Sequence, residues 1–151
     1  MKKSMIRQSA RVLALVLALS ILFPVYAYAA MPNTNYVQDS DYISNYAAFV
    51  ATPGNYEARV WFNVTAVSLS DEVGVLTVVL QKSDDRIQIT NVKTFQYTDY
   101  PNMIEEDTFN NHSYVSQTVD HGHYYRAWLT VYVANNGGSD SRYCVTEWVY
   151  I

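Results

Sequence analysis

Between residues 41 and 151 apolar and polar side chains alternate with a period of two, broken at intervals by turn residues. Almost nothing repeats at helical spacing, so the pattern predicts an all-β domain. In "YEARVWFNVTAV" one parity holds Ala58, Val60, Phe62, Val64 and Ala66, and these are expected to face a core. The other parity holds Glu57, Arg59, Trp61, Asn63 and Thr65. The next run, "GVLTVVLQKS", offers Leu76, Val78 and Leu80 to the core. Lys82-Ser83-Asp84-Asp85 then makes a polar turn into "IQITNVKTFQY", which is a third strand or two short ones. The segment from Thr98 to about Asn111, with Pro101 and the acidic group Glu105, Glu106 and Asp107, is too long for a tight turn. It reads as an excursion between two sheets. A further strand, "HSYVSQTV", follows.

The last two strands give the clearest pattern: "YYRAWLTVYVA" and "SRYCVTEWVYI" flank the turn "NNGGSD". Centring a hairpin there sets Tyr132 opposite Arg142, Trp128 opposite Thr146 and Arg126 opposite Trp148, all on one face. The opposite face then carries Tyr125, Ala127, Leu129, Val131 and Val133 on one strand and Tyr143, Val145, Val149 and Ile151 on the other. That second face is apolar enough for a core. Glu147 falls on the core side of this register and needs a partner or a bulge to turn it outward.

The outer face of the hairpin is the sharpest candidate for a binding surface. Tyr124, Arg126, Trp128, Tyr132, Trp148 and Tyr150 would form an aromatic strip with a guanidinium in it. Large aromatics exposed together mark contact surfaces, and flat rings stack on sugars or anchor a protein partner. The structural reading competes with this, because aromatic cross-strand pairs also stabilise exposed sheets and Arg126 over Trp148 is an ordinary cation–π contact.

The first residues bear on compartment. Lys2, Lys3, Arg7 and Arg11 precede the apolar run "VLALVLALSILFPVYAYAA", which contains Pro24 and closes on Ala27-Tyr28-Ala29. A secretory signal peptide over 1–29, cleaved after Ala29, is expected. A polar lead-in over 30–40 follows it, and then one domain over 41–151. No cysteine follows the apolar run to take a lipid and no second apolar segment follows, so a released protein without a stable membrane anchor is expected. Four of the ten basic residues lie in the leader, whereas all fourteen acidic ones follow it, which leaves the remainder at −8. That charge makes nucleic acid and anionic membranes poor partners. Cys144 is the single cysteine, so no internal disulfide is available, and it reads as a small strand residue.

Other chemistry is thinner. "DHGHYYRAW" sets Asp120, His121 and His123 around a glycine, and His112 is the remaining histidine. These four are the alternative, a metal site or a metal-dependent hydrolase, since zinc needs three or four convergent ligands. Exposed turn residues are the plainer reading. The acidic group at 105–107 lacks the spacing of a dedicated calcium loop, and no nucleophile motif or phosphate-binding glycine loop is present. No cofactor is therefore expected. Asn63-Val64-Thr65 and Asn111-His112-Ser113 fit glycosylation acceptors and read as coincidence behind a bacterial-type leader.

The run "YYRAWLTVYVANNGGS" is similar to the penultimate strand and turn of fibronectin type III-like and immunoglobulin-like modules. More closely, "YISNY" (42–46), "NNHS" (110–113), "YYRA" (124–127) and the final hairpin resemble a family of short secreted proteins of Gram-positive bacteria that carry only a domain of unknown function. The resemblance covers roughly residue 42 to the end. It implies an exported antiparallel β-sandwich and brings no catalytic residues. The chain departs from type III modules at Trp61, which parity places outward rather than in the core. The function expected from all this is non-catalytic: an extracellular module binding a cell-wall glycan or a protein partner.

Overall fold

The computed structural model describes residues 40–151 together with the backbone of a two-residue strand at 35–36. The expected signal peptide and the rest of the lead-in lie outside the described residues. The domain is all-β and every strand pairing is antiparallel. In chain order the strands are β1 (Asn35–Tyr36), β2 (Ile43–Ala51), β3 (Glu57–Ser83), β4 (Thr90–Gln96), β5 (Ile104–Thr118), β6 (Tyr124–Asn135), β7 (Gly138–Val145) and β8 (Val149–Tyr150). A 3₁₀ turn, Pro101–Met103, leads into β5.

Alternation of β-branched and aromatic residues with polar ones fixes β3, since such side chains fit a pleated, half-buried surface. Ala58, Val60, Phe62, Val64 and Ala66 are all buried, as parity predicted. The two runs read as separate strands are, however, one strand of 27 residues. Its first half pairs with β2 on one edge and β5 on the other. Its second half pairs with β6, and with the start of β5 and then β4.

The halves are joined at a bend where Ala66 to Leu69 oppose only Phe109, since Thr65 pairs with Asn110 and Ser70 with Thr108. Extra residues on one strand bend it and raise its twist. Asn135 holds the bend by donating from Nδ2 to the Leu69 carbonyl at 2.9 Å. On the same edge Ser40 Oγ donates to Asp140 Oδ2 at 2.7 Å and accepts from the Ile43 N–H at 2.8 Å, tying the start of β2 to β7.

The expected inner set of Leu76, Val78 and Leu80 and the expected excursion over 98–111 both differ in the structure. Leu76 is a bulged residue, because Val75 pairs with Val131 and Thr77 with Thr130. The core therefore takes Val73 and Val75 before the bulge, and Val78 and Leu80 after it. The stretch from Thr98 to Asn111 is not a long excursion: β5 begins at Ile104, and Glu105, Glu106 and Asp107 are exposed strand residues beside β3.

The hairpin register also differs by one. Trp128 pairs with Val145 and Tyr132 with Ser141, around a two-residue turn at Asn136-Gly137. Tyr143 and Val145 therefore point outward, while Cys144 and Thr146 point in. Beyond Val145 the chain gains one residue relative to β6, so that β8 returns to the expected register with Tyr125 opposite Val149 and Tyr124 opposite Tyr150. That extra residue is the bulge that Glu147 required, and its carboxylate is exposed. Thr146 Oγ1 fills the gap in the ladder by accepting from the Ala127 N–H at 2.9 Å.

One core results. Tyr125, Ala127, Leu129, Val131 and Val133 of β6 meet the inner faces of both halves of β3, with Ile43 and Val50 of β2, Phe95 of β4 and Met103.

Candidate functional site

Strand β6 decides the site, because its inner residues are fully buried and its alternate residues must point out. Leu129 is 0% exposed while its neighbour Trp128 is 44% exposed. The outward residues fall into rungs across the sheet. Tyr124 lies opposite Tyr150, and their rings meet edge-on with centroids 5.0 Å apart. Arg126 lies over the Trp148 ring, 4.6 Å from its centroid. Trp128 meets Tyr143 edge-on at 6.2 Å. Five of the six predicted residues thus form one strip. Tyr132 stands two rungs beyond Trp128, between Gly74 and Ser141, and is only half-buried.

Polar groups interleave with the rings. Arg126 donates from Nε to Gln81 Oε1 at 3.0 Å, and Gln81 donates from Nε2 to Asn91 Oδ1, also at 3.0 Å. This chain crosses from β6 over β3 to β4 and fixes the guanidinium above Trp148. Aromatic faces offset by amides and a cation make a surface that can stack on a flat apolar face and hydrogen-bond around its rim.

Sequence reasoning missed several members. Tyr143 and Val145 were assigned to the core through the one-residue register error. The signal for the correct register was the Asn-Gly pair itself, the strongest short hairpin marker, which centres the turn on Asn136-Gly137. Gln81 and Asn91 required knowledge of the β3–β4 pairing. Arg86, whose guanidinium lies 5.0 Å from the Tyr124 ring centroid, comes from the loop after β3 and has no periodic signature.

The residues of the metal alternative are placed against separate partners. His112 packs edge-on against Trp61 at 5.7 Å on the outer face of the first half-sheet. His121 lies 5.2 Å from the Tyr56 ring. His123 pairs through Nδ1 with Asp84, and Asp120 reaches Lys82 Nζ at 3.4 Å. Among the described residues no three His, Cys, Asp or Glu side chains form a group that could hold a metal. Cys144 is buried and its thiol pKa is pushed up to about 11 by that burial, which favours the protonated form at neutral pH.

A second aromatic row crosses the opposite outer face, where Phe49, Trp61 and Tyr114 are direct cross-strand neighbours on β2, β3 and β5. Trp61 does point outward, as parity required. Trp61 and Tyr114 lie 4.6 Å apart and Arg59 covers Tyr114 at 4.5 Å. Unlike Arg126, this arginine is neutralised by Glu57, whose Oε1 accepts from its Nε and Nη2 at 3.1 and 2.9 Å.

No family model, curated protein or solved structure matches the chain.

Proposed function

We propose that this protein is an exported, non-catalytic binding module that holds a sugar chain of the cell wall on the outer face of β6, β7 and β8. The observation that carries the reading is the strip itself: Tyr150 with Tyr124, Trp148 beneath Arg126, and Trp128 with Tyr143. Rings held at fixed angles by cross-strand partners lose little entropy when a flat sugar face stacks on them. The Arg126–Gln81–Asn91 chain supplies donors and acceptors at the rim. Export rests on the leader pattern of residues 1–29, and membership of the small secreted Gram-positive family rests on the resemblance of the quoted motifs. The single core enclosed by antiparallel strands from both halves of β3 supports grouping the domain with immunoglobulin-like and fibronectin type III-like sandwiches, with the shared strand β3 as its own departure. The metal-dependent alternative is less favoured because His112, His121, His123 and Asp120 each engage a different partner.

The test is retention of the purified protein on insoluble cell-wall polysaccharide, compared with Trp128→Ala and Trp148→Ala. Loss of retention in both variants, with melting temperatures that show them folded, is the expected result. Equal retention of all three proteins would remove this face from consideration.

A further inference from the structure

Two guanidiniums stand on the candidate face without a carboxylate partner among the described residues. Arg126 spends Nε on Gln81 and lies over Trp148, and neither Nη1 nor Nη2 makes a hydrogen bond among the described residues. Arg86 rests on the Tyr124 ring. Tyr124 and Arg126 are alternate residues of β6, so the ring that carries one cation and the residue that carries the other stand on the same side of the strand, with Cα atoms about 7 Å apart. The remaining charged pairs among the described residues are Arg59 with Glu57, Arg142 with Asp140, Lys82 with Asp120 and His123 with Asp84.

The backbone at Arg86 adds an independent observation. Its φ is +64°, in the left-handed region that a long side chain rarely adopts. The loop is held in this shape by Asp85, whose Oδ1 accepts from the N–H groups of Ile87 and Gln88, both at 2.8 Å, and from Ser83 Oγ at 3.1 Å. Strain of this kind persists where the surroundings impose it; Asn55, Tyr56 and Asp107 share the conformation elsewhere, and Arg86 alone of the four lies against the aromatic strip. Glycine would serve the turn better, so the arginine is not explained by the loop.

We propose that Arg86 and Arg126 form a clamp for a carboxylate borne by the sugar chain, so that the ligand is an acidic glycan whose charged sugars are spaced by neutral ones. The proposal rests on the sugar-platform reading above and names the ligand class for it. An arginine end-on fork binds a carboxylate through two parallel charge-assisted hydrogen bonds, and a cation already seated on a ring is pre-positioned for it. Sparse charge follows from the neighbours. Asp84 pairs with His123, Asp85 is engaged in the loop and Glu147 is exposed on the bulge, so a densely anionic polymer would meet these carboxylates as well. The acidic group at 105–107 is remote: Glu106 pairs with Glu72, nine residues along β3 from Gln81, roughly 30 Å and several Debye lengths from Arg126.

The experiment measures affinity for two matched polymer pairs in which neutral sugars separate the uronic acids, hyaluronan against carboxyl-reduced hyaluronan, and gellan against carboxyl-reduced gellan. Within a pair the sugars are alike and only the carboxylate differs. The acidic member of at least one pair is expected to bind about tenfold more tightly, a gap that 1 M salt closes. Arg126→Gln and Arg86→Gly are each expected to close that gap, whereas Arg59→Gln on the opposite face leaves it unchanged. Arg86→Gly should also melt no lower than the wild type, which separates a ligand role from a structural one. Equal binding of acidic and neutral members overturns the clamp while leaving the sugar platform standing. A gap that survives both arginine variants overturns it as well. Binding of neither member of either pair counts against the clamp and the platform together.

Discussion

Every surface assignment rests on which side of β6 faces in, and Leu129→Ala tests that directly. Leu129 is fully buried, pairs with Val78 on one side and Cys144 on the other, and belongs to the single core cluster. Truncation removes the transfer energy of the lost carbons and leaves a cavity between two hydrogen-bonded neighbours that cannot easily move together. Such sites fall at about 3–4 kcal/mol within the range for leucine truncations. For a domain of this size that lowers the melting temperature by about 10–15 °C. Thr130→Ala, next along on the outer face, deletes a methyl and a hydroxyl from a half-buried position and should cost under about 1 kcal/mol. Urea unfolding followed by tryptophan fluorescence reads both, with an unchanged slope showing that stability alone has altered. A Leu129→Ala cost below about 1 kcal/mol, or a Thr130→Ala cost above that of Leu129→Ala, would refute the assignment of faces.

Other substitutions probe the connections and the buried groups. A Cβ on Gly74 would lie 2.0 Å from the Met103 carbonyl oxygen, and the backbone there has φ +155°, so Gly74→Ala should cost about 3 kcal/mol or more, read by thermal melting. The Cys144 thiol is raised from 9.0 to about 11 by burial, so the folded state favours the protonated form. Its contribution is complete below pH 9 and is lost as pH rises toward 11, on the order of 2 kcal/mol, and Cys144→Ala should flatten that part of the alkaline stability curve. The Asp85 carboxyl is held below its ordinary value by the Gln88 and Ile87 N–H groups. Its contribution is present above the unfolded value and falls as acid protonates it, so Asp85→Asn should reduce the loss of stability below about pH 4 in acid titrations.

The inner and outer sets of β6, and of the first half of β3, were legible because an unbroken period of two leaves no choice once one residue is placed. Legibility failed wherever a strand gained a residue. Leu76 changes the parity of β3, Glu147 changes that of the last strand, and at the bend of β3 four residues answer one. A bulge has no compositional mark in a run of Val, Leu and Thr, so the inner set after it cannot be counted from the set before it. The aromatic strip survived because Arg126 and Trp148 lie on the far side of a compensating bulge, where the expected register is restored. Arg86 was illegible for a different reason: a loop residue acquires its neighbours only from the path of the loop.

The bent strand β3 also governs how the chain can reach this structure. It carries a partner for β2, β4, β5 and β6, and those partners range from the strand just before it to one whose end, Thr118, must find Glu57. Such pairings close long loops before they are rewarded, which places folding in the slow regime of milliseconds to seconds. Neither half of β3 completes its edges without strands from distant parts of the chain, so the two outer faces form and melt in one transition. The bend at Ala66 to Leu69 is the covalent link between the two halves. Substitutions there should slow refolding more than they speed unfolding, a division that stopped-flow measurements on Asn135→Ala would expose.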